Sequence, residues 1–455
     1  MRRIVILGGG VTGLALGFLR NRCPAPGDDV LILEEGPTPG GTVRTIREEG
    51  FVLEAGPVSL RTTPASDRLV EALGLSGDVL VADPRAPRWI MRDGRARRVA
   101  PGPSVLLGGA LPLAARLRAL IEPFVARRPA DLADESVHDF FERRFGPGVA
   151  RWGAEPLVSG VWADDPRTLS VRSAFPALWE AEGRAGSVLR GLAVAPRTRP
   201  RRTISFRGGL GTLAERLAER GVRAGVRIEL DAEIAGIEGP FDGEGNGGVW
   251  KVQIADGTVY PADTLVSTLD APGFAEALGP RLPRSGARLA TLPYSRLAVV
   301  LLAFRADSPD AAPRGFGLLV PRGEGLRSLG VLHLSSLFPS RVPAGVALTT
   351  SFFGGALDPS APDLCESDLL GLAEAEVRRL HPRLGPRLHG RALKWPAALP
   401  RLPVGHHETL RLLDADLDDL NAGRERPRLV VTGTWRDGLG LGERIARAEE
   451  LAPLL

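Results

Sequence analysis

The chain is poor in sulfur, in lysine and in aromatic residues. Cys23 and Cys365 are its only cysteines in 455 residues, so neither a disulfide framework nor a thiolate metal cluster is available. Aromatic residues make up 5%, and no nucleic-acid recognition motif occurs, so nucleic-acid binding is not expected. Lysine is confined to Lys251 and Lys394, leaving arginine to carry nearly all of the 58 basic charges. These arginines are dispersed among 54 acids, and the net charge is only +4. No run of about 18 apolar residues is free of charge, so no membrane-spanning helix is expected, and the cytoplasm is the expected compartment. The six histidines fall at His138, His333, His381, His389, His406 and His407. None stands in HExxH or another ligand spacing, there is no GxSxG, and no cysteine is matched to a histidine. His406 and His407 are adjacent, so their rings diverge, and a loop or packing role is expected for them.

What is present begins with RIVILGGGVTGLALGFLR, Arg3 to Arg20. Basic residues ahead of an apolar run resemble a secretory signal, but Gly8, Gly9, Gly10 and Gly13 interrupt the apolar core and exclude one. Ile4–Leu7 instead reads as a short buried strand, and Gly8-x-Gly10-x-x-Gly13 opens an apolar helix from Leu14 to Leu19. Val30–Leu33 reads as a second strand ending in Glu34, about twenty residues beyond the glycines, where a dinucleotide fold wants an acid for ribose. Gly8 permits the tight turn, Gly10 lets backbone approach a pyrophosphate, and Gly13 lets helix pack on strand. The helix N-terminus supplies amide donors.

Gly40-Gly41-Thr42-Val43-Arg44 follows, then the hairpin GFVLEAGPVSL from Gly50 to Leu60. This pattern is typical of flavoproteins: the glycines can lie over the ribityl chain and pyrophosphate, and Arg44 can reach flavin or phosphate. Glu35 is expected to face solvent. From about Val81 to Pro200 helical patterns dominate. Val105–Arg128 is amphipathic, and Pro112, Arg116, Arg118 and Glu122 exclude a span. It reads either as helices packed on the core or as a surface that dips into a membrane interface. A second nucleotide-like segment starts at Arg207. It has a Gly208-Gly209-Leu210 turn, a helix to about Arg220, and strands at Val226–Leu230 and Glu233–Ile237. A hairpin with an Asp256-Gly257 turn and a strand at Thr264–Thr268 come next. All these strands are expected to complete the sheet begun by residues 1–60. Residues 285–420 alternate strands and helices, Arg428–Trp435 returns as a strand, and Gly438–Gly442 opens a last helix. The fold class is therefore α/β. A discontinuous Rossmann-type domain (1–80, 201–275, 425–455) is expected beside a helical subdomain (81–200) that contributes part of the substrate site. A mixed α+β substrate domain (276–424) completes the chain.

Four stretches narrow the reading: SGVWADDPRTLSV (Ser159–Val171), GFGLLVP (Gly315–Pro321), WPAALPRLPVGH (Trp395–His406) and GLGLGERI (Gly438–Ile445). With them the chain resembles, nearly end to end, the oxygen-dependent protoporphyrinogen/coproporphyrinogen oxidases of the FAD-containing amine-oxidase-like superfamily. The resemblance implies noncovalent FAD and a six-electron oxidation of a porphyrinogen in haem biosynthesis, with O2 as acceptor and H2O2 as product. The flavin carries the chemistry, so no catalytic side chain and no metal are expected. It assigns cofactor contacts to Gly8, Gly10, Val11, Thr12, Gly13, Glu34, Gly40, Gly41, Thr42, Arg44, Gly56, Pro57, Val58, Ser59, Ile234, Trp395, Gly433, Gly438, Gly440 and Leu441. Val226 is expected to meet the adenine together with Ile234, and the last helix to aim its positive end at the flavin pyrimidine. For the substrate it assigns Arg88 to a propionate, Leu319, Val331 and Phe352 to the ring faces, and Gly160 and Val161 to close approach.

The chain departs from the family pattern at Thr38, Val58, Asp164, Leu402 and Gly442. Two other readings stay open: another flavin oxidase or desaturase of the same fold, and a catalytically weak porphyrin-binding paralogue. An amine oxidase is disfavoured because Tyr260 and Tyr294, the only tyrosines, lie in no matching motif. Protoporphyrinogen and coproporphyrinogen are not separated. Nor is a monomer separated from a homodimer, or a free protein from one peripheral on the inner face of the cell membrane.

Overall fold

The glycine turn forms where strand, glycines and helix require it. Arg3–Leu7 is a strand and Val11–Asn21 a helix whose N-cap is Gly10. A Cβ on Gly13 would lie 2.1 Å from the Gly8 carbonyl oxygen, so only glycine lets this helix sit so close to the strand. A computed structural model describes residues 2–22, 27–99, 109–196, 200–241, 249–308 and 310–455.

Five parallel strands form the nucleotide-type sheet, in the order Arg227–Glu229, Asp29–Leu33, Arg3–Leu7, Thr264–Ser267, Leu429–Val431. One face, through Ile4, Ile6, Val30 and Ile32, packs on the first helix, the Gly211–Arg223 helix and the last α-helix, Leu441–Leu451. The other face, through Val5, Leu7, Leu31 and Leu33, packs on Trp250 and Val252. Burial on both faces is why these strands read as unbroken apolar runs.

The segment after Arg227 departs from expectation. Ile234–Phe241, Val249–Ile254 and Val259–Ala262 form a separate antiparallel sheet and do not extend the parallel one. Val249–Ile254 alternates buried and exposed residues, and a strand with one wet face cannot enter a sheet covered on both sides.

A seven-stranded sheet makes the second layer: Arg387–Pro400, Tyr294–Arg305, Val346–Gly354, Gly330–His333, Gly317–Leu319, Arg88–Arg92, Arg95–Val99. Its last two members lie where helix was expected. They form a hairpin around Asp93-Gly94, with Asp93 and Gly94 both at positive φ, and the first runs parallel to Gly317–Leu319. One face of the sheet packs on the Glu366–Leu380 helix through Val300, Leu302 and Val331. The opposite face packs on Phe51, Leu53 and Val58 of the N-terminal hairpin through Val299 and Leu301. Buried Glu54 fixes that hairpin, accepting from Thr45, the Leu210 amide and Arg341.

Helices dominate from Leu113 to Ala193. Here the usual sides are exchanged. Glu122 is fully buried, held by Arg144, the Ser187 hydroxyl and the Val188 and Leu189 amides. Leu113, Leu117, Leu120, Ile121 and Phe124 point outward instead, Phe124 at 82% exposure. No helix among the described residues is long and apolar enough to cross a membrane.

Candidate active site

A cavity of about 570 Å³ opens at the carboxyl ends of the parallel strands. Gly8 follows Arg3–Leu7, Glu34 follows Asp29–Leu33, Thr268 follows Thr264–Ser267 and Gly433 lies just past Leu429–Val431, and all four line it. That is where open parallel sheets bind ligands. Gly10, Val11, Thr12, Gly40, Gly41, Thr42, Pro57 and Ile234 line it too.

The residues present fit a dinucleotide. A Cβ on Gly10 would meet no protein atom within 4 Å, so the space beside it belongs to the cavity. The hydroxyl of Thr12 is buried without a hydrogen-bond partner. Glu34 accepts the Gly9 amide at 2.6 Å on one oxygen and the Gly36 amide at 2.9 Å on the other. Each oxygen keeps a second lone pair for a ribose hydroxyl.

Carboxylates crowd this end of the cavity. Glu35, Glu233, Asp270 and Glu276 line it with Glu34. Partial burial raises the Glu35 pKa, and Glu34, Asp270 and Glu233 add to the rise. Such an end repels phosphate and accepts hydroxyls and an adenine amine. Glu35 is exposed, as expected, but it also borders the cavity.

Several expected contacts sit behind the lining. Gly56 packs on Thr42, whose carbonyl oxygen lies 2.0 Å from where a Cβ would stand. Val58 joins the apolar contact with the second sheet. The Trp395 indole donates to the Ala55 carbonyl at 2.7 Å, and Leu441 is buried in the core under the parallel sheet. Ser59, Gly438 and Gly440 also lie outside the lining. Arg44 is exposed and does not border the cavity. Val226 is buried against Gly17 and faces away, leaving Ile234 as the one of the two that lines the cavity.

Tyr294, Ala397, Ala398, Leu399, Leu439 and Arg444 line the cavity without having been expected. All but Tyr294 lie in the Trp395–His406 and Gly438–Ile445 stretches that carried the resemblance, which did not single them out. The Tyr294 hydroxyl accepts the Ala271 amide at 3.1 Å, and burial raises its pKa, so it stays neutral.

The expected substrate residues separate by strand register. Arg88 pairs with Gly317, Ile90 with Leu319, and Leu319 with Gly330, which in turn pairs with Phe352. Directly paired residues share a face. Arg88, Leu319 and Phe352 therefore share one, and Phe352 packs on the same Ala163, Leu297 and Leu329 cluster as Ala398 and Leu399, which line the cofactor cavity. Val331 turns the other way. It is 1% exposed under the Glu366–Leu380 helix and cannot touch a ligand on the Phe352 side.

Gly160 lies on the Glu155–Trp162 helix, and a Cβ there would stand 2.4 Å from Leu319 Cδ2. Helix and sheet face thus meet at Gly160, with the half-exposed Val161 beside them. Arg88 is exposed, stacks 4.7 Å over Phe316, and makes no ion pair among the described residues.

Three of the departures have local explanations. Buried Asp164 accepts from Arg401 at 2.7 Å. A Cβ on Gly442 would stand 2.2 Å from the Arg61 carbonyl oxygen, so this helix position takes only glycine. Leu402 is buried in the core. Thr38 is exposed, and nothing in the structure explains it. None of the six histidines lines the cavity. His406 bonds the Trp435 carbonyl at 2.7 Å, and His407 meets Asp134 at 3.3 Å, both holding loops.

Residues 25–442 match the family described as flavin containing amine oxidoreductase. The chain is 30% identical to the chloroplastic protoporphyrinogen oxidase of Oryza sativa subsp. japonica, over 98% of this chain and 87% of that protein. It is 28% identical to the protoporphyrinogen oxidase of Bos taurus, over 99% and 98%. Among solved structures, an Exiguobacterium sp. 255-15 protein described as a protoporphyrinogen oxidase superposes with a TM-score of 0.80 at 22% identity, over 99% and 98% of the two chains. Cyclohexylamine oxidase from Brevibacterium oxydans IH-35A shares the fold at 0.69 and 16%, over 99% and 98%.

Proposed function

The chain belongs to the family of flavin containing amine oxidoreductases, and from that membership we propose that it is a FAD-dependent oxidase converting a porphyrinogen to its porphyrin. The observation that carries the reading is its similarity, over nearly its whole length, to proteins named protoporphyrinogen oxidase. Bound FAD supplies a two-electron acceptor that O2 regenerates, so one porphyrinogen and three O2 give one porphyrin and three H2O2.

The chain's own residues bind, orient and exclude water. Glu34 and Ile234 border the adenosine end, and Gly10 and Thr12 leave space for the pyrophosphate. Noncovalent binding fits Cys365, which is exposed and lies outside the cavity lining; Cys23 lies outside the described residues. Leu319, Phe352 and Gly160 give the macrocycle an apolar wall where helix and sheet meet, with Phe352 packed on the same cluster as Ala398 and Leu399. Arg88, stacked over Phe316 and without an ion pair among the described residues, binds a propionate through two parallel N–H donors. The test is aerobic incubation with protoporphyrinogen, coproporphyrinogen and simple amines, following porphyrin fluorescence and H2O2. Porphyrin with three H2O2 per turnover is expected. Peroxide from amines alone would assign the protein to a different branch of the family.

The outward stripe Leu113, Leu117, Leu120, Ile121 and Phe124 supports a second element of the proposal, peripheral contact with a membrane. These positions recur at helical spacing, so one face could enter the lipid interface while Arg116 meets anionic headgroups; Arg118 instead donates to the Arg143 and Arg144 carbonyls. Leu106 and Leu107, part of the same amphipathic stretch, lie outside the described residues. The protein should co-sediment with anionic vesicles and be released in part by high salt, which screens the headgroup attraction. Leu117→Ser with Phe124→Ser should abolish co-sedimentation and leave FAD content unchanged. Equal sedimentation with and without vesicles refutes the contact.

A further inference from the structure

Arg444 lies in the first turn of the last α-helix and lines the cavity with Gly10 and Thr12. Its Nε is buried without a hydrogen-bond partner, and no ion pair of its guanidinium is found among the described residues. Burial pushes its pKa down to about 10, against the opposing pull of Asp437 and Glu443. Thr12 is 4% exposed, and its hydroxyl is equally unpartnered.

Both helices that carry these residues begin at a glycine, Gly10 and Gly440, and neither N-cap has a side-chain hydrogen bond. Their orphan amides and partial positive charge are therefore left for something else. Glu443, in that same first turn, lies against Gly440 but pairs with Arg201 and is outside the cavity lining, whose carboxylates include Glu34 and Glu233. Part of this guanidinium is buried, Asp437 and Glu443 attract it without bonding to it, and a bound anion would complete its partnering.

We propose that Arg444 binds the pyrophosphate of FAD together with the glycine loop that carries Thr12, giving this chain a cationic cofactor anchor at the start of its last helix. The proposal rests on the FAD reading. It identifies Arg444 as a positioning residue for the cofactor that does no chemistry on the substrate.

The test uses wild-type and Arg444→Met proteins stripped of flavin, titrated with FAD and, separately, with ADP, which carries the pyrophosphate without the flavin ring. Losing a charge-assisted pair costs about 10- to 100-fold in affinity, and the loss should be equal for both ligands. Arg444→Lys should recover part of it, and the reduction potential of FAD bound to Arg444→Met should match wild type. Thr12→Val, nearly isosteric, should weaken both ligands by about 3- to 10-fold through one lost hydrogen bond, and it keeps the test open if Arg444→Met fails to fold. Unchanged FAD and ADP affinity overturns the proposal. So does weaker FAD binding with unchanged ADP binding and a lowered potential, which would put Arg444 beneath the flavin ring. Wild-type protein that takes up no FAD at all would instead sink the flavin reading itself.

Discussion

Gly10→Val abolishes FAD binding and leaves a folded apo-protein. Gly10 has φ −65 and ψ 170, a conformation open to any residue. A Cβ there meets no atom beyond its chain neighbours within 4 Å, so a side chain grows into the space where the pyrophosphate must reach the helix amides. Apo-protein stability should therefore fall by no more than about 1 kcal/mol, the ordinary cost of losing a good N-cap residue. FAD affinity should fall by at least about 100-fold, because phosphate and side chain cannot share the volume. Gly13→Ala makes the contrast. Its Cβ would stand 2.1 Å from the Gly8 carbonyl oxygen, so it should destabilise the apo-protein itself, by about 1–3 kcal/mol or more. Melting curves of the two apo-proteins with FAD titrations check both halves. Wild-type protein should release its flavin on denaturation. Tight FAD binding by Gly10→Val would mean that the cofactor lies elsewhere.

Arg88→Ala should raise the KM for a porphyrinogen strongly and leave the flavin spectrum unchanged. Removing one partner of a charge-assisted pair costs about 2–5 kcal/mol, equivalent to about 30- to several-thousand-fold. The lower end applies here because Arg88 is exposed and water still solvates the orphaned propionate. Arg88→Lys should recover only part, since an ammonium keeps the charge and loses the planar fork. Phe352→Ala should also weaken binding, through lost ring contact, with little dependence on salt. Val331→Ala should leave KM near wild type and lower stability, because Val331 is buried on the opposite face of the sheet. Steady-state kinetics at two salt concentrations distinguish these cases. Wild-type kinetics for Arg88→Ala would shift the carboxylate contact to another arginine.

The nucleotide half was legible because its constraints are local. Strand, glycines, helix and acid all fall within Arg3–Glu34, and each limits the others. The final helix was legible for the same reason, from Gly438 to Gly442. The Arg88–Val99 hairpin was missed although Asp93-Gly94 carries the same turn signal as Asp256-Gly257. Its many arginines weaken the apolar alternation that marks a strand. The direction of Val331 depends on which neighbour Gly330–His333 pairs with, and a four-residue strand does not declare its face. Val226 and Ile234 are both apolar and close in sequence, and only the packing of Gly17 against Val226 separates them. Arg444, Tyr294 and Ala398 reach the cavity from three remote elements, and only the assembled fold brings them together.

Anaerobic mixing of the FAD-loaded protein with a porphyrinogen tests the central claim most directly. Without O2, electrons leaving the macrocycle must stay on the flavin. The account predicts that flavin absorbance bleaches as porphyrin absorbance appears, with three flavins reduced for each porphyrin formed and no bleaching by simple amines. Flavin that stays oxidised with both protoporphyrinogen and coproporphyrinogen would contradict it.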